Sequence, residues 1–471
     1  MADQQIASRS RRAFLQSAAS LGAAAVLAAC SGTPAQPAQP TQGTQAAQPT
    51  SPPQAPAQPS KVSGTITWYM NIDAVRNKWA QDVIIPAFAK EQPNITVTLM
   101  TVPWEEFDSK LLALAAAGTP PDVFAQWGQS GGGTYFHKNL LYPIDDLIQS
   151  RGWDLSGIPP LLQRAYTFEG KIYGVPMYSL GSFIFYNKKL FDEAKVAYPP
   201  TDWNDQSWTW DEMLNRAKAL TKDYGDREKG QYGFANAIND LYGGIPWLFG
   251  AEIFSKDSYD KAKITAVEFT DPKMIAAVQA KADLVTKHKI SPTPAISDTI
   301  SQGGGLLGSG KVAMIYGGGW EIWPLKDLKE LQWGIAAVPR QETNRIPTFS
   351  DPWYIAKGSK NVDASFAFVQ YLTTGAGQQS MALALQAPPA VQSLLPEWYK
   401  NFPTVESGAL EKVYKGAIAN AKETPASLLF GYGPVEDAYN QMLAPVWNGE
   451  KSAAEVIPQL QDRATEAIKN L

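Results

Sequence analysis

A chain of 471 residues with a formal net charge of −4 is long enough for at least two domains with substantial cores. The absence of basic runs beyond the N-terminus argues against a nucleic-acid surface. With one cysteine and only two histidines, His137 and His288, a histidine-rich metal site is nearly excluded. No apolar stretch after residue 30 reaches the ~18 residues of a membrane span.

The N-terminus reads as an export signal over residues 1–29. Ser10-Arg-Arg-Ala-Phe-Leu-Gln16 is a twin-arginine pattern, followed by an apolar run from Ala18 to Ala29 with secretory flanks. The run ends in Leu27-Ala-Ala-Cys30, which resembles a bacterial lipobox. Cleavage there makes Cys30 the lipidated first residue, anchors the chain at the outer face of a membrane, and leaves no thiol for redox or nucleophilic work. Residues 31–60 are built only of Pro, Ala, Gln, Thr, Ser and Gly. They cannot bury enough apolar surface to offset ordering and read as a disordered tether, reaching between ~30 Å coiled and ~90 Å extended.

The body opens with a strand, Gly64–Met70, and a loop at 71–73, then a helical run Asn77–Glu91. A second strand, Asn94–Met100, leads to an amphipathic helix opened by Pro103-Trp104, and Pro121–Phe124 is a third strand. This β-α-β-α-β order predicts a parallel sheet covered by helices, with ligands off the carboxyl ends of the strands. Asn71, Asp73, Trp104, Gln126, Trp127 and Gln129 stand there. Glutamine amides donate and accept, which suits vicinal hydroxyls.

Residues 168–191 hold two short β runs, Ile172–Val175 and Phe183–Tyr186, then Asn187 as a cap for a helix from Lys188. The seven-residue join Pro176–Ser182, whose Tyr178 and Ser179 are expected ligand contacts, lacks the Asn-Gly or Asp-Gly of a tight turn. Local chemistry allows either a hairpin or a strand leaving one sheet for another. Further on, Thr209 with Asp211 and Glu212 reads as a helix start. Gly305-Leu-Leu-Gly-Ser-Gly-Lys311 fits a phosphate-binding loop as far as the lysine. Val312 then stands where Ser or Thr must hold magnesium, and a strand follows in place of a helix, so nucleotide binding is rejected. The glycines Gly317–Gly319 before Trp320 allow close approach of a ligand to that indole.

Lys171-Ile-Tyr-Gly-Val-Pro176 followed by Phe185-Tyr-Asn-Lys-Lys-Leu-Phe191 resembles the first interlobe crossing of the extracellular solute-binding proteins, family 1, the carbohydrate-binding subunits of bacterial ABC importers. Thr119–Phe124, Leu141–Asp146, Trp208–Leu214, Lys311–Trp320 and Lys357–Asn361 resemble further family segments in the same order. The resemblance implies an α/β fold of the type II periplasmic-binding kind, with a ligand cleft between two lobes joined by hinge crossings. Lobe 1 is expected at 61–178 plus 353–390, and lobe 2 at 179–352 plus 391–471. A return crossing is implied near Phe349–Ala356, where Ser350-Asp351-Pro352 replaces the usual glycine pair, and another near Ala387–Ala390. Two returns make each lobe discontinuous, which favours the crossover at 168–191.

The same resemblance implies ligand contacts at Tyr242 and Trp247, Trp320, Asp351 and Trp353, and Tyr432 and Glu436, with Asp145 and Asp146 structural. It implies a monomer that binds a sugar by closure and delivers it to permease subunits, with no cofactor, no metal and no covalent chemistry. The rival from another class is a secreted glycoside hydrolase, which needs two carboxyls flanking the scissile bond. Adjacent acids such as Glu105-Glu106 do not supply that arrangement. A sensory lipoprotein on the same fold is a third reading.

Overall fold

The computed structural model describes residues 62–125, 131–301, 305–325, 328–385, 387–402, 405–469 and 471. The signal segment, Cys30, the tether, Gln126, Trp127 and Gln129 lie outside the described residues. In chain order the strands that matter are β1 (Gly64–Asn71), β2 (Ile95–Val102), β3 (Val123–Ala125), β4 (Gly174–Pro176), β5 (Ser182–Asn187), β6 (Ala235–Asn236), β7 (Met314–Gly318), β8 (Trp333–Ala336), β9 (Ile346–Thr348), β10 (Pro352–Ile355) and β11 (Ala421–Glu423).

They form two main sheets. The first runs β2-β1-β3-β10-β4, with β1 parallel to β2 and β3, and β10 antiparallel to β3 and β4. The second runs β8-β5-β7-β6, with β5 antiparallel to both neighbours and β6 parallel to β7. A parallel pair, β9 and β11, lies beside them. Each main sheet carries its own apolar core. Around the first, Trp68 packs edge-on against Trp79, Trp353 and Phe368 at ring distances of 5.9, 5.4 and 4.9 Å. Around the second, Phe183, Phe185, Ile315 and Trp333 are buried with Tyr414 and Trp398. A third cluster holds Trp247, Phe254, Met274, Tyr439 and Ile457 under the C-terminal helices.

Local chemistry sets the helix starts. Asn187 accepts from the Leu190 N–H at 3.4 Å and begins the helix Lys188–Ala194. Thr209 accepts from Glu212 N–H at 3.2 Å and begins Trp210–Leu220. The first helix starts earlier than its apolar spacing predicts, at Ala74, because the Asp73 carboxylate caps it through the Arg76 N–H at 2.7 Å. Asp145 is structural as expected: both carboxylate oxygens accept from Ile172 N–H, at 3.1 and 3.0 Å.

The stretch 168–191 is a crossover. β4 pairs with β10 in the first sheet, whereas β5 pairs with β7 and β8 in the second, so the hairpin reading is wrong. The chain returns between Thr348 and Pro352, and passes again through Ala387–Val391 into a helical segment whose Leu395 and Trp398 belong to the second core. These three passages are bonded to one another. Leu180 and Phe349 exchange both backbone bonds, at 2.7 and 2.9 Å, and Met177 N–H donates to Asp351 O at 2.9 Å. Ser179 N–H donates to Pro388 O at 2.9 Å, and the Gln378 side chain bridges Met177 O and Val391 N–H. Backbone groups that would otherwise be orphaned in a buried connector are thereby satisfied.

Candidate functional site

The ends of β1 and β7 and the first two passages bring one set of side chains together. Phe349, in the second passage, is its centre. Its ring meets Trp320 edge-on at 4.7 Å and Tyr242 edge-on at 5.6 Å. Tyr242 in turn lies nearly parallel to Tyr432, with ring centroids 6.1 Å apart. Of the glycines before Trp320, Gly318 is explained by this indole: a Cβ there would stand 2.3 Å from its ring carbons, whereas one on Gly317 would meet Glu321. Trp320 is only partly buried, and it packs against the cores of both lobes.

Polar groups surround the rings. Glu436 accepts from Asn239 Nδ2 at 2.7 Å and from the Tyr432 hydroxyl at 3.4 Å, and burial raises its carboxyl above the usual range. The Tyr178 hydroxyl donates to the Asp351 carboxylate. Burial pushes Asp351 up to about 7, with the Tyr178 bond and Arg76 pulling the other way. Glu321 is likewise raised to about 7 by burial, partly offset by the Trp320 indole N–H. Asn71, at the end of β1 and 5% exposed, accepts from Arg76 Nη1 at 3.4 Å. The Arg76 guanidinium also lies 5.6 Å from the Trp323 ring centroid, and that indole packs against the first core.

Of the residues expected at the site, Tyr178, Tyr242, Trp320, Asp351, Tyr432 and Glu436 fall within this set of contacts, and Asn71 joins it through Arg76. Asp73 spends its carboxylate on the helix cap. Ser179 is 2% exposed, with its amide bonded to Pro388 and its hydroxyl without a partner among the described residues. Trp104 is 44% exposed on the turn after β2.

Two expectations are corrected. Trp247 and Trp353 are both 0% exposed. Trp353 fills the first core against Trp68. Trp247 fills the third cluster, covered by Arg345 and Lys422 at 5.4 and 5.0 Å from its ring. Neither presents a face to a ligand. Arg76, Phe349, Trp323 and Asn239 were not anticipated. Arg76 carried a signal, a cation one helical turn beyond the strand-end Asn71, and the others carried none.

Flat rings beside fixed carboxyl, amide and hydroxyl groups suit a ligand with apolar faces and many hydroxyls. Among the described residues, no three His, Cys, Asp or Glu side chains gather as a metal-ligand set. Among them, too, no helix is long and apolar enough to cross a membrane.

The family model described as bacterial extracellular solute-binding protein matches residues 84–407. The chain belongs to that family. Among its relatives, a maltotriose-binding protein of Pyrococcus abyssi is 24% identical over 389 residues, spanning 80% of this chain and 76% of the relative. A diacetylchitobiose binding protein of Streptomyces coelicolor is 25% identical over 259 residues, 55% of each chain. Among solved structures, an ABC substrate-binding protein from Listeria monocytogenes in complex with cycloalternan matches with a TM-score of 0.71 at 21% identity, covering 86% of this chain and 98% of that one. A cyclo/maltodextrin-binding protein complexed with maltotetraose matches with a TM-score of 0.68 at 20% identity, covering 88% and 100%. The fold is therefore the two-lobed α/β architecture of these binding proteins.

Proposed function

We propose that this chain is the substrate-binding subunit of an ABC importer, which captures a mono- or oligosaccharide or polyol between its lobes and delivers it to a membrane permease. The observation that carries this reading is the ring set Trp320–Phe349–Tyr242–Tyr432, built around the chain passages and flanked by Asn239, Glu436, Tyr178 and Asp351. The names of the relatives, binders of maltotriose and diacetylchitobiose, support the same ligand class. Residues 61–178 plus 353–390 form one lobe and 179–352 plus 391–471 the other. Ligand draws them together about the three bonded passages, with no covalent step.

Asn71, Trp104, Gln126, Trp127, Gln129, Tyr178, Ser179, Tyr242, Trp320, Asp351, Tyr432 and Glu436 are the proposed ligand contacts. Export follows the twin-arginine signal, and Cys30 carries the lipid that keeps a monomeric body at the outer face of the cytoplasmic membrane. The test is a thermal-shift screen of purified protein over maltotriose, diacetylchitobiose, lactose, monosaccharides and polyols. A saturable rise in melting temperature with at least one sugar, recovered unchanged after long incubation, is expected. No shift across the panel, or steady product formation in proportion to protein, overturns the reading and in the second case favours a hydrolase.

A further inference from the structure

Gly131 and Gly133 follow β3 and open the helix Gly132–His137. Their backbones do not require glycine. Gly131 is extended, with φ −84° and ψ 171°, and Gly133 has no positive φ and lies inside a helix, where alanine is preferred. What requires glycine is space. A Cβ on Gly131 would stand 2.1 Å from the Ala426 carbonyl oxygen. One on Gly133 would stand 2.0 Å from the Leu428 carbonyl oxygen and 2.7 Å from that of Ala262. All three partners come from chain segments beyond the first crossing, and Ala262 and Leu428 reach the core that holds β3. The bare Cα–H groups point at carbonyl oxygens, as in the weak Cα–H···O contacts of close backbone crossings.

The same helix makes a second, independent contact across the lobes. His137 Nε2–H donates to Lys261 O at 3.0 Å, and its ring lies 5.4 Å from that of Phe430. Tight packing is not general to this interface. Immediately beside it the lobes leave a groove of about 520 Å³ between Phe136, His137 and Arg164 on one wall and Lys261, Lys263 and Glu423 on the other.

We infer that Gly131 and Gly133 form a closure latch, a bare-backbone contact between the lobes that sets how much of the protein is closed and thereby its affinity for ligand. The inference rests on the reading that this protein closes around its ligand. Apparent affinity scales with the closed fraction, so the glycines act as positioning residues through the lobe–lobe contact. The three atoms nearest an added Cβ at either position all belong to residues 262 or 426–430.

The test uses the full-length chain with Cys30→Ser, which removes its one thiol, and His137→Cys with Phe430→Cys as a reporter pair across the contact. Disulfide formation under a mild oxidant is followed without ligand, so failure of the sugar reading leaves this measurement intact. The pair should cross-link, and adding Gly133→Ala, or separately Gly131→Ala, should slow cross-linking at least tenfold while the reduced protein keeps its melting temperature. Gly408→Ala, at a glycine with nothing within 4 Å, should change neither. With maltotriose as probe, the dissociation constant should rise by the factor by which cross-linking slows. Equal cross-linking rates for Gly133→Ala and Gly408→Ala, or a reporter pair that never cross-links, would overturn the latch.

Discussion

The hydroxyl of Tyr178 donates to the carboxylate of Asp351, and the two residues stand in different passages between the lobes. The bond therefore ties the first crossing to the second, with Arg76 acting on the same carboxylate.

A pH dependence follows. Burial raises Asp351 from 3.8 to about 7 and Glu321 from 4.5 to about 7, so between about pH 4 and 7 the folded state holds more protons than the unfolded one. The stability these groups contribute is fully present below their unfolded values, is lost as pH rises toward 7, and levels off above it. Asp351→Asn removes one of the two terms. Relative to that variant, the parent should be more stable at pH 4 than at pH 8 by about 4 kcal/mol. Urea midpoints measured at both pH values check this; a difference between the two proteins that stays constant with pH sinks it.

Arg76→Gln tests the cation in the same system. Arg76 lowers Asp351, so its removal should move the midpoint of that pH dependence upward. It should also loosen Asn71 and the contact with Trp323. Stability against pH for the Arg76→Gln protein gives the answer, and an unmoved midpoint counts against a role for Arg76 at the Asp351 carboxyl.

Trp320 and Trp247 separate site from core. Trp320→Ala should weaken sugar binding by a few kcal/mol, as central aromatic anchors do. It should erase most of the ligand-induced shift, which is worth about 2.7 kcal/mol at a hundredfold excess over Kd, while changing the unliganded melting point little. Trp247→Ala should do the reverse, costing about 3–5 kcal/mol of folding stability and leaving the ligand shift in whatever protein remains folded. Calorimetry of both variants with and without sugar decides; matching behaviour in the two would place Trp320 in the core.

Cys30→Ala should release the protein from the membrane fraction into the soluble one, because the proposed lipid attachment is gone. Fractionation of cells expressing both forms is sufficient, and a variant that stays with the membrane removes the anchor.

What the sequence shows well is chemistry that is decided locally. The caps at Asn187 and Thr209 need only a side chain and the next three residues, and both stand where the sequence places them. The β-α-β-α-β order survives because each run carries its own period. Trp247 and Trp353 fail for the opposite reason. The helix Gly244–Leu248 and strand β10 are buried on every face, so no alternation tells which side meets a ligand. Phe349 was invisible because its place at the centre of the ring set depends on Leu180, a residue of another passage, holding its backbone. The glycines at 131 and 133 look like any loop until the carbonyls of 426 and 428 are seen against them.

The order of strands in the first sheet bears on how the chain reaches this state. β10 lies between β3 and β4 and is hydrogen-bonded to both, yet it is made after the whole of β5 to β9. Until residue 355 emerges, β3 and β4 face a gap, each with an unpaired edge of the kind that recruits other chains. Inserting the missing strand closes a long loop, a step that slows folding in proteins dominated by distant contacts. A nascent or truncated chain ending before Pro352 would therefore expose two sticky edges at once. It should depend on a holding chaperone more than its native stability suggests.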